Sequence, residues 1–571
     1  MKKLYIYVLT AASLFVSGCD IERLPYGSYS AETIQKDKAE AMDILLNGCY
    51  AQLRSATDVM HRTGEYPGDN IMKQNATTNN FSQYMSYKHT ATNNHLPGVW
   101  SNGYKIIAQA SNLIKLVNEG ESADVDQKIG EAYFMRGMMY FYLCRIFGRP
   151  YYQSPEKNLG VPIVDIPENL DGLVLPDRST VKEVYAQAVA DLRKAEKLMT
   201  KYKSAIYASK YSAQALLAKM YAYMSGTYEN PNTTYADSCY YFANEVIKSG
   251  KFDLLSRDVF MTYNQMTPDS KAQIETIFAV KRMDAEISNY NPVIGSMYAS
   301  IQNVGWGEMY TSQKYLDLLN ETGYNDWANE RFVDARASFI HPQYTSTNGN
   351  LNRAFRFVCE VYDKNGVMTG YTYKQPLITE SAGDLTVNLD NQVYTLTPVD
   401  AANKKYSIVY NDKTYEGLDD YQMVLNNGYP QFYCYKCSLE DGYPQLHSPI
   451  VSRLAEMYLL CAEGAAKTGD YQLARQNVNK VRERSIPGGG YATMDASNAK
   501  ELIMKERQLE LAYEADRGFD VYRVGEKMVR RYPGFYNSIM EIEPTSPLVV
   551  QLIPQSEINA YPGTLTQNPI E

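Results

Sequence analysis

The stretch Ile129–Phe147 (IGEAYFMRGMMYFYLCRIF) constrains the fold more than any other part of the chain. Its apolar residues run almost all the way round a helix, so it is predicted to be central and buried. Gly148 and Pro150 end it. Further helical patterns lie on either side. Residues 37–54 carry Ala41, Ile44, Leu45, Gly48 and Cys49 at helical spacing, and a second helix is predicted from about Trp100 to Val117. Residues 180–200, 208–225 and Tyr235–Ser249 follow. Near the C-terminus Ile450, Leu454, Met457, Tyr458, Cys461 and Ala465 share one face, Gly469-Asp470 turns the chain, and Tyr471, Ala474, Val478 and Val481 continue on the next helix. Small residues at helix crossings, an aromatic near the turn and hairpins of roughly 34 residues point to tetratricopeptide-like repeats.

Between the two helical sets the texture changes. Arg356–Tyr362 alternates and Asn365-Gly366 supplies a hairpin turn, while 385–389 and 392–396 flank Asp390-Asn391, and Lys405–Tyr410 is another strand candidate. Gly, Pro and aromatic residues cluster at 287–311 and 426–447, as in long surface loops. The expected fold is mainly α: a tetratricopeptide-like hairpin scaffold with an inserted loop-rich, partly β ligand-binding region. The expected boundaries are a signal peptide at 1–18, an anchor and tether at 19–36, and an N-terminal scaffold at 37–250 with a long polar loop at 59–98. The insert follows at 251–447, and a C-terminal scaffold at 448–571 completes the domain.

The N-terminus reads as an export signal. Lys2 and Lys3 precede an apolar run from Leu4 to Val16, too short to span a bilayer as a mature helix. It ends in Val16-Ser17-Gly18-Cys19, the pattern that bacterial lipoprotein processing needs, so Cys19 is expected to be cut free and acylated. Two or three acyl chains anchor stably where one would not. Acidic Asp20 and Glu22 favour the outer membrane and the cell surface. Residues 20 to about 36 then form a polar leash. After Val16 no window of 18 consecutive apolar residues occurs.

A net charge of −9 and the lack of a basic run argue against a nucleic-acid surface. Seven cysteines besides Cys19 are scattered among apolar neighbours and read as buried free thiols; Cys434-Tyr-Lys-Cys437 is a lone CxxC without a second pair at zinc spacing. The five histidines have no ligand spacing, and no HExxH, GxSxG or phosphate-cradling glycine loop is found. No metal, cofactor or catalytic residue is expected. The most enzyme-like string is Glu506-Arg507, Glu510, Glu514, Arg517, Asp520, Arg523. Its spacings put alternating charges along one helix face, where they are expected to pair with each other.

What remains is binding. Tyrosine is the outlier of the composition, 51 residues against 16 Phe and 3 Trp, and its flat apolar face with a polar edge suits amphipathic ligands such as sugars. Tyr66, Asp69, Asn70, Tyr84, Tyr87 and His95 lie in the first long loop region, Tyr290, Asn291, Trp306 and Tyr310 in the second, and Trp327 further on. Some subset of these is expected to form a platform, with aromatic faces on sugar rings and Asp, Asn and Arg on hydroxyls.

Five features occur in order along the chain: the lipobox at Cys19; Trp100-x3-Tyr104-x2-Ile107-x4-Asn112; Glu131 to Gly148 followed by Gly160-Val-Pro-Ile163; Arg453 to Glu463 leading to Asn479-x-Val481-Arg482; and the Glu506–Arg523 string, ending in Ile553-Pro554 and Gln567-Asn568-Pro569. Together they resemble the SusD/RagB family of surface glycan-binding lipoproteins. The resemblance implies four tetratricopeptide-like helix pairs carrying a variable ligand-binding half. It implies a SusC-like TonB-dependent outer-membrane transporter as partner, with this chain as its lid. It implies an oligosaccharide ligand or, alternatively, capture of peptides, and no catalysis. Two departures stand out: Gly518 where a large aromatic is common, and Ala515-Asp516 in place of a Gly-containing pair. Ligand residues vary within the family, so none is carried over.

Overall fold

The computed structural model describes residues 37–73, 80–165, 174–287, 293–534 and 539–569. The expected signal peptide, Cys19 and the tether lie outside the described residues, as do Tyr290 and Asn291.

The scaffold is built of paired helices. α1 (Lys38–Glu65) packs on α2 (Leu96–Leu116), α3 (Ala123–Phe147) on α4 (Val181–Leu198), and α5 (Lys210–Met224) on α6 (Thr233–Lys248). α2 also touches α3, and α4 touches α5, so the pairs stack into one array. The fourth pair, α7 (Leu454–Lys467) and α8 (Tyr471–Ser485), comes some two hundred residues later, yet α7 docks directly on α6. Gly464 permits this: a Cβ there would lie 2.7 Å from the Ala236 carbonyl oxygen. As its composition demands, α3 is buried on nearly every side from Ile129 to Phe147. Local signals set the helix starts. Thr180 and Glu183 form a reciprocal capping box at α4, and Ser122 caps α3.

The polar stretch at 59–98 is not the long loop expected from its composition. α1 continues to Glu65, a strand follows at Ile71–Lys73, a short helix spans Asn80–Ser86, and α2 begins at Leu96. The helical period is masked because polar side chains of the last turn are buried with partners. His61 Nε2 meets the Tyr298 hydroxyl at 2.7 Å, and Thr63 Oγ1 donates to the Val59 carbonyl at 2.9 Å.

The Glu506–Arg523 string is likewise not one helix. α9 (Ala499–Leu511) stops, Tyr513 and Ala515 turn through left-handed backbone (φ 66° and 70°), and α10 (Arg517–Arg523) starts afresh. Here one departure from the family pattern, Gly518, finds its reason. The Ala515 carbonyl presses on Gly64 of α1 so closely that a Cβ at 64 would overlap it, and a Cβ on Gly518 would sit 2.8 Å from the Gly64 carbonyl oxygen. A large side chain at 518 could not pass α1, while the left-handed turn falls on an alanine, at a cost of about 1 kcal/mol.

Strand pairing joins the insert to this scaffold. β1 (Ile71–Lys73) pairs antiparallel with β2 (Met309–Thr311), matching Met72 with Tyr310. β3 is Ile340–Pro342. The insert proper comprises β4 (Arg353–Tyr362), β5 (Met368–Lys374), β6 (Ile378–Ser381), β7 (Asp384–Leu389), β8 (Gln392–Thr395), β9 (Thr397–Asp400), β10 (Lys405–Tyr410) and β11 (Lys413–Tyr421). They form an antiparallel five-stranded sheet, β9-β10-β11-β4-β5, and a three-stranded one, β8-β7-β6. The turns fall at Asn365-Gly366 and Asp390-Asn391, the latter with both residues at positive φ (50° and 64°). Between the sheets lies a separate small core of Phe355, Phe357, Cys359, Val387, Leu389, Leu396, Ile408 and Tyr410. β12 (Phe432–Cys434) returns to the scaffold by pairing with β3 and lying beside β2. The seven cysteines from Cys49 onward are free and buried.

Candidate functional site

The side chains expected to supply a binding platform do not stay together. Tyr66, Asp69, Asn70, Tyr84, Tyr87, Tyr310 and Trp327 are buried, so none of these seven offers a face to a ligand. Each has been taken up by the interior. Asp69 accepts from Arg517 Nε and from Lys314 Nζ, both at 2.6 Å. Burial alone would raise its carboxyl, but those two cations hold it well below the usual carboxylate range. Asn70 donates to Glu65 and accepts from Gln508, both at 2.9 Å. Tyr87 donates to the Pro67 carbonyl at 2.7 Å, beside the Tyr522 hydroxyl. Trp327 Nε1 donates to the Ala337 carbonyl at 2.8 Å. Tyr66 packs edge-on against Tyr84 and Tyr298. His95 is half-buried, stacked on Phe81 at 4.2 Å, with its pKa lowered to about 4, first by burial and then by Arg62.

Trp306 is different. The other two tryptophans are buried, whereas Trp306 is 40% exposed. Its backbone explains why. Gly305 and Gly307 flank it at φ 101° and 55°, and both lie against neighbours that leave no room for a side chain. A Cβ on Gly305 would be 2.4 Å from the Ala299 carbonyl oxygen, and one on Gly307 would be 2.8 Å from the Tyr433 ring. The Trp306 N–H donates to the Ser296 carbonyl at 2.8 Å. The main chain is thus pinned flat and the indole is left outside. Just before it, Gln302-Asn303 forms a tight turn with both φ positive (54° and 63°), closed by the Ile301–Val304 bridge.

Beside this segment, where Gly307 meets the Tyr433 ring, lies a cluster of tyrosines. Tyr310, Tyr433 and Tyr532 are buried with Met72, Ala299 and Ile301, and Tyr373, Tyr429 and Tyr435 pack half-buried against them. Tyr310 and Tyr433 meet edge to face at 5.7 Å, and His341 stacks on Tyr435 at 3.7 Å. Asn426 Nδ2 donates to the Tyr310 hydroxyl at 3.2 Å. The cluster is drawn from β1, β2, β5, the 425–435 segment and residue 532. Of these only Tyr310 was singled out from sequence. The aromatic clustering of 426–447 pointed at the right segment, whereas nothing local marked Tyr373 or Tyr532. Glu308, two residues past Trp306, forms an ion pair with Lys73 of β1, whose side chain is fully buried. Such a corner can stack a flat apolar ring face and bond hydroxyls at its edge. A separate cleft of about 240 Å³, lined by Tyr50, Arg54, Tyr207, Phe278, Lys281 and Met283 among others, contains none of the predicted residues.

The carboxylates of the enzyme-like string are sealed in. Glu510 accepts from Arg453 Nη1 at 2.5 Å and pairs with Arg484; Glu514 accepts from Arg453 at 2.8 and 2.9 Å; Glu506 is shared by Arg336 (2.5 Å) and Arg482 (2.9 Å). Arg507 and Arg523 both hold Asp520. Only this last set is internal to the string. The rest reach other elements, contrary to the expectation of self-pairing along one helix. Burial works to raise the Glu510 carboxyl, and Arg484, Arg453 and Arg336 outweigh it. Among the described residues no group of three or more His, Cys, Asp or Glu side chains could hold a metal ion.

Comparison with known proteins assigns the family. Residues 274–570 match the SusD family, and residues 24–222 match a family described as starch-binding and associating with the outer membrane. The chain belongs to the SusD family. SusD-like protein P2 of Formosa agariphila is 24% identical over 561 residues, covering 92% of this chain and 91% of its own. A SusD-like protein of Bacteroides ovatus is 25% identical over 283 residues, 47% of this chain and 49% of its own length. Among solved structures, a SusD superfamily protein of Bacteroides thetaiotaomicron superposes with a TM-score of 0.68 at 23% identity, over 93% of this chain and 99% of that one. A SusD-like carbohydrate-binding protein of Bacteroides vulgatus superposes with a TM-score of 0.63 at 14% identity, over 92% and 97%.

Proposed function

We propose that this chain is a cell-surface glycan-binding lipoprotein that captures oligosaccharide and passes it to a SusC-like TonB-dependent transporter, over which it sits as a lid. The observation that carries the reading is Trp306, presented between two glycines beside a tyrosine cluster. An exposed indole held on a rigid support is what stacking on a sugar ring requires. Membership of the SusD family, and a relative of the same fold described as carbohydrate-binding, support a glycan over other ligands. The carboxylates that look catalytic are all paired with arginines or lysines, which favours binding without turnover. Cys19 would anchor the chain in the outer membrane, and residues 20 to about 36 would let the body lift while staying attached.

Affinity electrophoresis or calorimetry of the mature protein against a panel of glycans is the direct test. Binding of at least one glycan without its hydrolysis is expected. Retention of peptides with no glycan bound would replace this reading by peptide capture on the same kind of transporter. Cys19→Ala should release the protein from the membrane fraction and leave ligand affinity unchanged.

A further inference from the structure

The segments that build the corner around Trp306 are poor in charge. Charged residues make up 21% of the sequence, yet between Tyr298 and Thr311 only Glu308 is charged, and between Tyr421 and Tyr435 none is. Ile340–Leu351, which brings in His341, also lacks Asp, Glu, Lys and Arg. In their place stand amides and phenols: Gln302, Asn303, Asn426, Asn427, Gln431, Tyr429 and Tyr435.

Cations carried on the segments that form this corner or lie beside them are engaged elsewhere, and Arg531, next to Tyr532, pairs with Glu541. Lys73 has its buried ammonium on Glu308. Arg356 pairs with Asp420 and lies over the Phe432 ring. Lys374 turns into the insert, over the Tyr410 ring. Lys436 points inward, donating to the Glu510 and Ala512 carbonyls at 2.9 and 2.7 Å. None of these is left to meet an anion at the indole. The one carboxylate there, Glu308, is partly exposed while the Lys73 ammonium paired with it is buried, so the neutral pair presents its negative end to an approaching anion. An anionic sugar brought to this surface would lose hydration without gaining a counter-charge, which costs more than hydrogen bonds to amides return. A neutral sugar meets stacking faces and groups that both donate and accept.

We propose that the ligand held at Trp306 is an uncharged glycan, and that Glu308, fixed by Lys73, keeps uronic-acid and sulfated chains out. The proposal rests on the reading of this corner as a glycan site. Its test is binding of the mature protein to neutral chains (amylopectin, galactomannan, xyloglucan) and acidic ones (polygalacturonate, alginate, chondroitin sulfate), repeated at about 0.05 and about 0.5 M salt, where screening of exposed charges differs severalfold. The expected result is a neutral binder whose Kd moves less than about twofold between the two salts, with no acidic chain retained. In Glu308→Gln, first checked for folding because the buried Lys73 ammonium loses its counter-charge and keeps only a hydrogen bond to the amide oxygen, affinity for the neutral binder should stay within about threefold while acidic chains gain measurable, salt-sensitive binding. An acidic glycan bound by the unaltered protein and weakened about tenfold or more by salt overturns the proposal and leaves the glycan reading standing. Acidic chains still excluded by Glu308→Gln would remove Glu308 from that role. Binding of no glycan at all overturns the glycan reading and this inference with it.

Discussion

Two regions of the molecule look functional for opposite reasons. The ladder from Glu506 to Arg523 is dense in acids and bases, but every carboxylate in it is buried against arginines or lysines, many contributed by distant segments such as Arg336, Arg453 and Arg484. The Trp306 corner holds one ion pair and is otherwise aromatic and amide, with its largest side chain turned to solvent. Charge crowding in this fold marks where elements are fastened together, because a buried ion needs partners from several directions. An aromatic ring held outside by a constrained backbone offers a face for contact with something else. The two regions are therefore separable: damage to the ladder should unfold the protein, and damage to the corner should cost only ligand.

The largest effect is expected at Glu510. Glu510→Gln removes the charge shared by Arg453, Arg484 and Arg336 and leaves buried guanidinium groups under-compensated, which costs on the order of 3–5 kcal/mol. Urea unfolding measures it, and a loss below about 1 kcal/mol would show that the ladder is not the fastening inferred here. Whatever fraction stays folded should bind ligand normally, since Glu510 lies in the core and not at the indole.

A second break uses pH. Glu65, at the end of α1, has its pKa raised to about 7 by burial, against which Asn70 and the backbone of the 513–515 turn act only partly. A carboxyl that binds its proton more tightly when folded contributes stability that is complete below its unfolded value of 4.5 and is lost as pH rises through about 7. The gap corresponds to at most about 3 kcal/mol. All five histidines work the other way over the same range, since burial lowers their pKa values and their contribution fades as pH falls below 6.5. The quantity to read is therefore the difference between the protein and Glu65→Gln, which keeps the neutral form. That difference should shift in favour of the variant between pH 5 and pH 8. A difference independent of pH would mean that Glu65 is ionised throughout. Ligand affinity should not follow this profile, because Glu65 lies inside the scaffold.

The same contrast explains what could be read from the chain. Ile129–Phe147 was legible as a central helix because burial on all sides leaves a mark in every residue. The β insert was legible because Asn365-Gly366 and Asp390-Asn391 encode their turns locally. The end of α1 was not. His61, Glu65, Asp69 and Asn70 look like loop residues until Tyr298, Arg517 and Gln508 are brought to them, and no local pattern carries a partner more than two hundred residues away. The pairing of the ladder is not legible for the same reason: its spacing suits self-pairing, but Ala515 and Gly64 must pass each other, and that contact breaks the helix. At the site, Trp306 could be picked out as an aromatic in a Gly-rich stretch. The tyrosines beside it could not, because β1–β2 and β3–β12 pairing assembles them from remote segments.

The smallest change in stability and the sharpest in function are expected together at Trp306. Trp306→Ala deletes a side chain that is not part of the core, so unfolding free energy should move by no more than about 0.5 kcal/mol. Affinity for the bound glycan should fall at least about tenfold, or about 1.4 kcal/mol, because losing a supported aromatic anchor commonly exceeds 1 kcal/mol. The pairing of these two numbers is what matters. If affinity falls and stability holds, the corner is a binding surface resting on an independent scaffold. If stability falls as much as affinity, the indole is packing that happens to be exposed, and the contrast with Glu510 disappears. Unchanged affinity in a folded variant would remove Trp306 from the platform and leave the half-buried Tyr429 and Tyr435 as the next rings to test.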